Sequence, residues 1–554
     1  MAQIYASKTN EIQKYETEHE NEVRHLAGEC MVLLENDGVL PFSDKIKKIA
    51  LYGTGARHTV KGGTGSGDVN VRKTVSIARG LEEAGFEIVT EDWLDRYDRD
   101  LEEAQKTYLK KLKDMSDETG EPSVILGFKH PFQEPEQPIV EETDIKEADA
   151  AIYVLARNSG EGKDRRAEKG DYYLSDRELQ NIRFMTENYS NCVVLLNTGG
   201  VIDLTELRKI SGVQAILLTG QTGNMGGHAV ADVLMAKTVP SGKLTDTWAR
   251  SYDDYPSSRT FSYRDDNLDD EYYSDGIYVG YRYFDTFNIT PAYEFGYGLS
   301  YTNFDINVKN VSVNEDKVTV KAEVTNTGKT YSGKEVVQVY FSAPDSKDAE
   351  KEYQQLAAYG KTDELAPGES QVLTLTYDTD EMAYYSEEKA SYILDPGTYY
   401  VRVGDSSRNT KVAAAIKLNQ SAVTEVLSNQ MEVPESENLT EWSKAGKTPY
   451  TYATEQQEMA EAPVFTLDAS KVKTENNVSE YKDEKVTTYT TDPDYKAVQD
   501  YEKVEVVTDK KGATLKDVVD NKVTMKIHGF PREALPIITP SHPVCSIMFA
   551  ASFA

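Results

Sequence analysis

A chain of 554 residues is too long for one hydrophobic core, so two to four domains are expected. Its 93 acidic against 61 basic side chains give a formal net charge of -32, which argues against nucleic acid or an anionic membrane surface as partner. The three cysteines (Cys30, Cys192, Cys545) lie far apart with no Cys/His spacing, so reduced thiols are expected, not a disulfide framework or a zinc site.

The N-terminal stretch "MAQIYASKTNEIQKYETEHENEV" is polar and acidic, without the pattern of a signal peptide, and no apolar run approaches a membrane span. A cytoplasmic location without membrane contact is the expectation. From residue 1 to 303 the pattern is α/β. Near-continuous apolar runs, "KKIALYGTG", "GFEIVT", "ADAAIYVLARN", "NCVVLLNTGG" and "GVQAILLTG", suit strands of a parallel sheet buried on both faces. Helical patterns lie between them. "SDRELQNIRFMTENYS" opens with a capping box, Ser175 followed three residues later by Glu178. The alternation predicts a three-layer α/β sandwich whose functional loops lie at the carboxyl ends of the strands.

Residues 304–418 switch to a period of two. "KVTVKAEVTNTG", "KEVVQVYFSAP", "SQVLTLTYD" and "TKVAAAIKL" alternate apolar with polar residues between Gly- and Pro-containing turns, which predicts an immunoglobulin-like β-sandwich. Residues 419–513 are charged, Tyr- and Thr-rich and poorly periodic, and are read as a linker or loosely packed extension. Residues 514–554 begin with "TLKDVVDNKVTM", which looks ordered, and then change character. The tail from Lys526 has four prolines and the single acid Glu533, so a shifted frame or a truncation before a further domain is expected there. Cys30, in "LAGECMVLL", and Cys192, in "NCVVLLN", are expected to be buried and protected, which leaves Cys545 as the reactive thiol.

Three loops could carry chemistry. "YGTGARH" has Gly53 and Gly55, but His58 stands at the third position of a dinucleotide fingerprint, so a tight turn is the better reading. "KGGTGSGDVNVR" brings four glycines with Ser66, Asp68 and Asn70, a hydroxyl, a carboxylate and an amide suited to sugar hydroxyls; a purely structural glycine loop would serve as well. "LARNSGEGKDRR" places Glu161 after a buried strand, at a carboxyl end of the sheet. Lys163 and Arg165 would oppose the raised pKa that a working acid needs, unless they pair elsewhere and shape the loop. Asp92, in "TEDW", is read as a first-turn helix residue.

Taken together, "KGGTGSGDVN", "SGEGKDR", "VVLLNTGG", "GGHAVADVLMAKTVPSGKLTDTWA", "GIYVGYRYFDTF" and "YEFGYGLSYTNF" run in order across some four hundred residues. With them the chain resembles the later domains of glycoside hydrolase family 3, especially its β-glucosidases. The resemblance implies an α/β sandwich followed by a fibronectin type III-like domain. It makes Glu161 the general acid/base, with Ser66, Asp68, Asn70 and Arg165 as substrate-binding residues, and requires no metal or organic cofactor. It implies retaining hydrolysis of terminal β-D-glucosyl residues, in which a second carboxylate attacks the anomeric carbon. The family's Ser-Asp-Trp nucleophile motif, carried on its (β/α)8 barrel, is absent here, and Met225 stands where an acid is common. The order of parts matches the circularly permuted members, with residues 514–525 as the start of the barrel. A barrel domain in trans, or self-association, is the implied partnership. A non-catalytic carbohydrate-binding or assembly remnant is the competing reading, and nucleotide binding is remote.

Overall fold

The computed structural model describes residues 10–161, 165–267, 269–314, 316–429 and 439–479, with the backbone of 506–508 and 525–527. Two units divide the chain, one running to Val478 and one starting at Ser479. In the second, Val506–Thr508 pairs antiparallel with Met525–Ile527. The expectations for Thr514–Thr524, for the tail beyond Ile527 and for Cys545 fall outside the described residues.

The first half of the larger unit contains α1 (Lys14–Cys30), β1 (Val32–Asn36), β2 (Lys48–Tyr52), α2 (Ile77–Glu83), β3 (Glu87–Ile88), α3 (Glu91–Thr119) and α4 (Ser123–Lys129). It continues with β4 (Ala150–Arg157), α5 (Asp176–Asn188), β5 (Cys192–Thr198), β6 (Val213–Leu218), α6 (Gly226–Leu234) and α7 (Tyr281–Thr286). Six strands form one sheet in the order β1-β6-β5-β4-β2-β3. All neighbours are parallel except β1, which runs antiparallel to β6. Every residue of β5 is buried, and so are seven of the eight in β4, as strands covered on both faces must be. Asp92 lies in the first turn of α3, where a carboxylate complements the helix dipole.

Chain order makes the crossover visible. From β2 the chain moves outward to β3, and from β4 it moves the other way to β5 and β6. The connections after β2 and β4 therefore leave in opposite directions at the switch point of the sheet, the place where α/β folds bind ligands.

One ion pair ties this edge together. Arg157, the last residue of β4, donates from Nη1 and Nη2 to the two carboxylate oxygens of Glu178, each at 2.7 Å, with both side chains buried. Glu178 also closes the capping box of α5, accepting the Ser175 backbone N–H at 2.7 Å. Burial would lower the Arg157 pKa, but the facing carboxylate and its hydrogen bonds hold it above the ordinary value.

A β-sandwich follows, with β7 (Phe304–Val313), β8 (Lys317–Asn326), β9 (Val336–Ser342), β10 (Gln355–Lys361), β11 (Ser370–Asp378), β12 (Tyr384–Ser386) and β13 (Ser391–Leu394). Then come β14 (Gly397–Ser406), β15 (Asn409–Leu418), β16 (Ala422–Val426), α8 (Glu455–Glu461), β17 (Val464–Leu467) and β18 (Glu475–Asn476). The sheets run β10-β9-β14-β15-β17, β11-β8-β7 and β12-β13-β16-β18. Alternate residues of β8, Val318, Val320, Ala322 and Val324, point into a core shared with Val337, Val339, Val401 and Val403. Lys334 and Lys361 of this half both reach Glu29 of α1, and Lys243 meets Glu335 at 2.8 Å, so the two halves are joined by ion pairs.

Two expectations are corrected. Residues 419–478 are not a loose linker over their described length: β17 adds a strand parallel to β15, and β18 pairs with β16. The cause is a charge that the sequence pattern does not expose. Arg402 is wholly buried on β14, and Glu455, at the start of α8, accepts from its Nη2 at 2.7 Å. Cys30 is also exposed, because the helix ends there and the apolar run "MVLL" turns into β1. Cys192 is buried, and burial pushes its thiol up to about 12.

Glu178→Ala, which strands the Arg157 guanidinium in the interior, should lower unfolding stability by about 3–5 kcal/mol, measured by urea denaturation. In thiol mapping by mass spectrometry, Cys30 should label in the native protein and Cys192 only after unfolding.

Candidate active site

The loop after β4 is held from below and from the side. Arg157 Nε donates to the Asp171 carbonyl at 2.9 Å, so the strand end grips the return of its own loop. Arg165 pairs with the Asp171 carboxylate at 2.6 Å and donates to the Asn158 carbonyl. The Arg166 backbone N–H donates to the same Asp171 carboxylate at 2.9 Å. Arg165 thus braces the loop. Lys163 and Asp164 lie outside the described residues.

The loop after β2 meets the loop after β4 directly. The Thr64 N–H donates to the Ser159 carbonyl at 2.9 Å, and the Glu161 N–H donates to the Thr64 carbonyl at 3.2 Å, which makes a one-residue parallel bridge. Glycine is required at this crossing. Gly160 has φ 141°, and a Cβ there would strike the Thr64 backbone. Gly65 has φ 87°, and a Cβ there would collide with the Glu161 carboxylate. The Glu161 side chain therefore lies over Gly65, on the exposed lip of the crevice.

The crossing rests on groups that the sequence reading passed over. Asn197, wholly buried at the end of β5, accepts the Val60 N–H at 2.7 Å and donates to the Val60 and Gly220 carbonyls at 3.0 and 2.7 Å. Gln221 Nε2 donates to Ser159 Oγ at 3.2 Å. The one available signal was an amide within the otherwise apolar run "VVLLNTGG", because a buried Asn must have partners.

The expected sugar-binding residues are only partly gathered. Ser66 sits in the short turn Gly65–Gly67 beside Glu161, and its side chain lies outside the described set. Asp68 pairs with Lys61, whose Nζ also donates to the Val69 carbonyl at 3.0 Å. Asn70 is exposed further along the same loop. The dinucleotide reading of "YGTGARH" has no structural support, since the next helix begins only at Ile77 and offers no N-terminus to a pyrophosphate at Gly53.

Past Arg165 a cavity of about 590 Å³ opens, lined among others by Tyr172, Tyr252, Tyr255, Phe261, Tyr281 and Arg282. Among the described residues, no group of three or more His, Cys, Asp or Glu side chains is placed to hold a metal ion.

Residues 31–301 match the glycosyl hydrolase family 3 C-terminal domain, and residues 335–407 a fibronectin type III-like domain. β-Glucosidase A of Butyrivibrio fibrisolvens is 36% identical over 456 residues, which is 74% of this chain and 52% of that protein. A β-glucosidase of Ruminococcus albus is 36% identical over 411 residues, covering 72% of this chain and 40% of that protein. The solved structure of β-glucosidase 3B from Thermotoga neapolitana in complex with glucose superposes with TM-score 0.62 at 38% identity, over 74% of this chain and 55% of that one. The chain therefore spans about half the length of the relatives it matches. With its crossover sheet and appended β-sandwich, it belongs to glycosyl hydrolase family 3 and carries that family's C-terminal α/β domain and fibronectin type III-like domain.

Proposed function

We propose that this chain supplies the general acid/base of a retaining β-glucosidase, with Glu161 in that role and Ser66, Asp68 and Asn70 of the adjoining glycine-rich loop as substrate-binding residues. The observation that carries the reading is the crossing of the two loops, which fixes the Glu161 backbone to Thr64 and lays its carboxylate over Gly65. A proton donor must be held within hydrogen-bond reach of the departing oxygen, and a fixed backbone provides that. Arg165 acts through the loop, by holding Asp171 and Asn158.

In the first half-reaction Glu161 gives its proton to the leaving oxygen while a second carboxylate, about 5 Å away, bonds to the anomeric carbon. In the second, the Glu161 carboxylate takes a proton from water, which attacks the same carbon and releases the enzyme carboxylate. The attacking carboxylate would come from a barrel domain of the family, joined to this chain or provided separately. A cytoplasmic location belongs to the same proposal.

Glu161→Ala, in this chain combined with a family barrel, should cut cellobiose hydrolysis by about 10²–10⁴-fold. Activated aryl β-glucosides should suffer less in the first step, and azide should restore part of the turnover. Full activity on cellobiose would overturn the assignment. Gly65→Ala should fold but lose at least tenfold in kcat on cellobiose, read by steady-state kinetics, because the added methyl displaces the Glu161 carboxylate.

A further inference from the structure

Between Glu161 and the Asp171 anchor, the loop after β4 has a return limb from Arg166 to Gly170. Its backbone bonds stay local: the Glu168 N–H donates to the Arg166 carbonyl at 2.6 Å, and the Gly170 N–H to the Tyr173 carbonyl at 2.8 Å. A side chain from far along the chain meets this limb. Tyr263 Oη accepts the Ala167 backbone N–H at 3.0 Å. The Arg166 guanidinium lies over the same ring, 4.3 Å from its centre. One tyrosine therefore holds two successive residues of the loop, one by its hydroxyl and one by its π-face.

The segment that presents Tyr263 is fixed in an uncommon shape. It is the short turn Ser262–Asp265, entered at Ser262 with φ 56° and left at Asp266 with φ 63°. Neither residue is glycine, and such a backbone persists only where its surroundings determine it. Here they do. Glu271 accepts the Ser262 N–H at 3.0 Å, and Arg264 Nε donates to the Ser258 carbonyl at 3.2 Å. The Arg264 guanidinium also lies 5.3 Å from the centre of the Tyr252 ring. Without regular structure on either side, the turn is still held so that Tyr263 stands against Ala167.

We propose that Tyr263 is a positioning residue for Glu161. It restrains the return limb and so narrows the places that the Glu161 carboxylate can occupy, without touching substrate. The proposal rests on Glu161 being the general acid/base. Tyr263→Phe keeps the ring beneath Arg166 and leaves the Ala167 N–H to water, whereas Tyr263→Ala removes both holds. A looser loop delivers its proton less often while the sugar still binds.

Hydrogen exchange of the full chain, read by mass spectrometry, should be about tenfold faster in the peptide containing Ala167 for Tyr263→Phe, and faster again for Tyr263→Ala. Peptides from β4 and α5 should exchange as in the parent. With a family barrel added, Tyr263→Phe should lose about tenfold in kcat on cellobiose with KM little changed. Its kcat/KM on 2,4-dinitrophenyl β-glucoside, whose departure needs little protonation, should stay within about twofold of the parent. Unchanged exchange at Ala167, or equal losses on both substrates, would overturn the proposal. Glu161→Ala separates it from the acid assignment. If that variant is crippled on cellobiose while Tyr263→Phe matches the parent, the positioning role alone falls; if Glu161→Ala keeps full activity, both fall.

Discussion

Arg157 has to carry its charge into the interior because β4 is covered on both faces, and the buried Glu178 carboxylate is what makes that tolerable. A buried guanidinium with no carboxylate would be strongly unfavourable. The fork between them joins the end of the central strand to the first turn of α5, and so fixes both ends of the loop that contains Glu161. The remaining Arg157 donor holds the Asp171 carbonyl, and Asp171 in turn collects Arg165 and the Arg166 N–H. The exposed loop that carries Glu161 is thereby anchored on an unexposed pair.

Strand order supplies the second constraint. Because β2 and β4 are neighbours whose connections leave in opposite directions, their loops are the two walls of one crevice. Glycines let the walls touch: without a Cβ at Gly160 the Thr64 backbone comes close enough to accept the Glu161 N–H. Asn197 and Gln221, from the next two strand ends, brace the crossing from the third side. The precision of the site thus comes from four strand ends that are distant in sequence.

The β-sandwich is coupled to the α/β half through charges of opposite sign and through ring contacts such as Tyr281 of α7 against Tyr340 of β9 at 5.8 Å. Glu29 receives two lysines from the sandwich, and Asp285 of α7 receives Arg408 at 2.7 Å. Burial raises the pKa of Asp285 to about 6 despite Arg408, the mark of a carboxylate held well away from water. Within the sandwich, Arg402 makes the same demand on Glu455 and draws the segment around α8 into the fold.

The sequence by itself determined the layer architecture, because hydrophobic periodicity is a local property. Apolar runs read as buried strands became β2 to β6, the period of two became the sandwich, and the Ser175–Glu178 box became the start of α5. The run "ADAAIYVLARN" also put Glu161 in the loop after a buried strand, at the carboxyl end of the sheet, where the structure finds it. Tertiary structure alone decided which residues meet. Whether Arg165 faces Glu161 or Asp171, whether "MVLL" continues a helix or begins β1, and whether residues 419–478 hang free or complete a sheet each depend on a partner far along the chain. The aromatic cavity beyond Arg165 is of the same kind, for its walls combine Tyr172 with residues some eighty to one hundred and twenty positions further on, and no local period encodes that meeting.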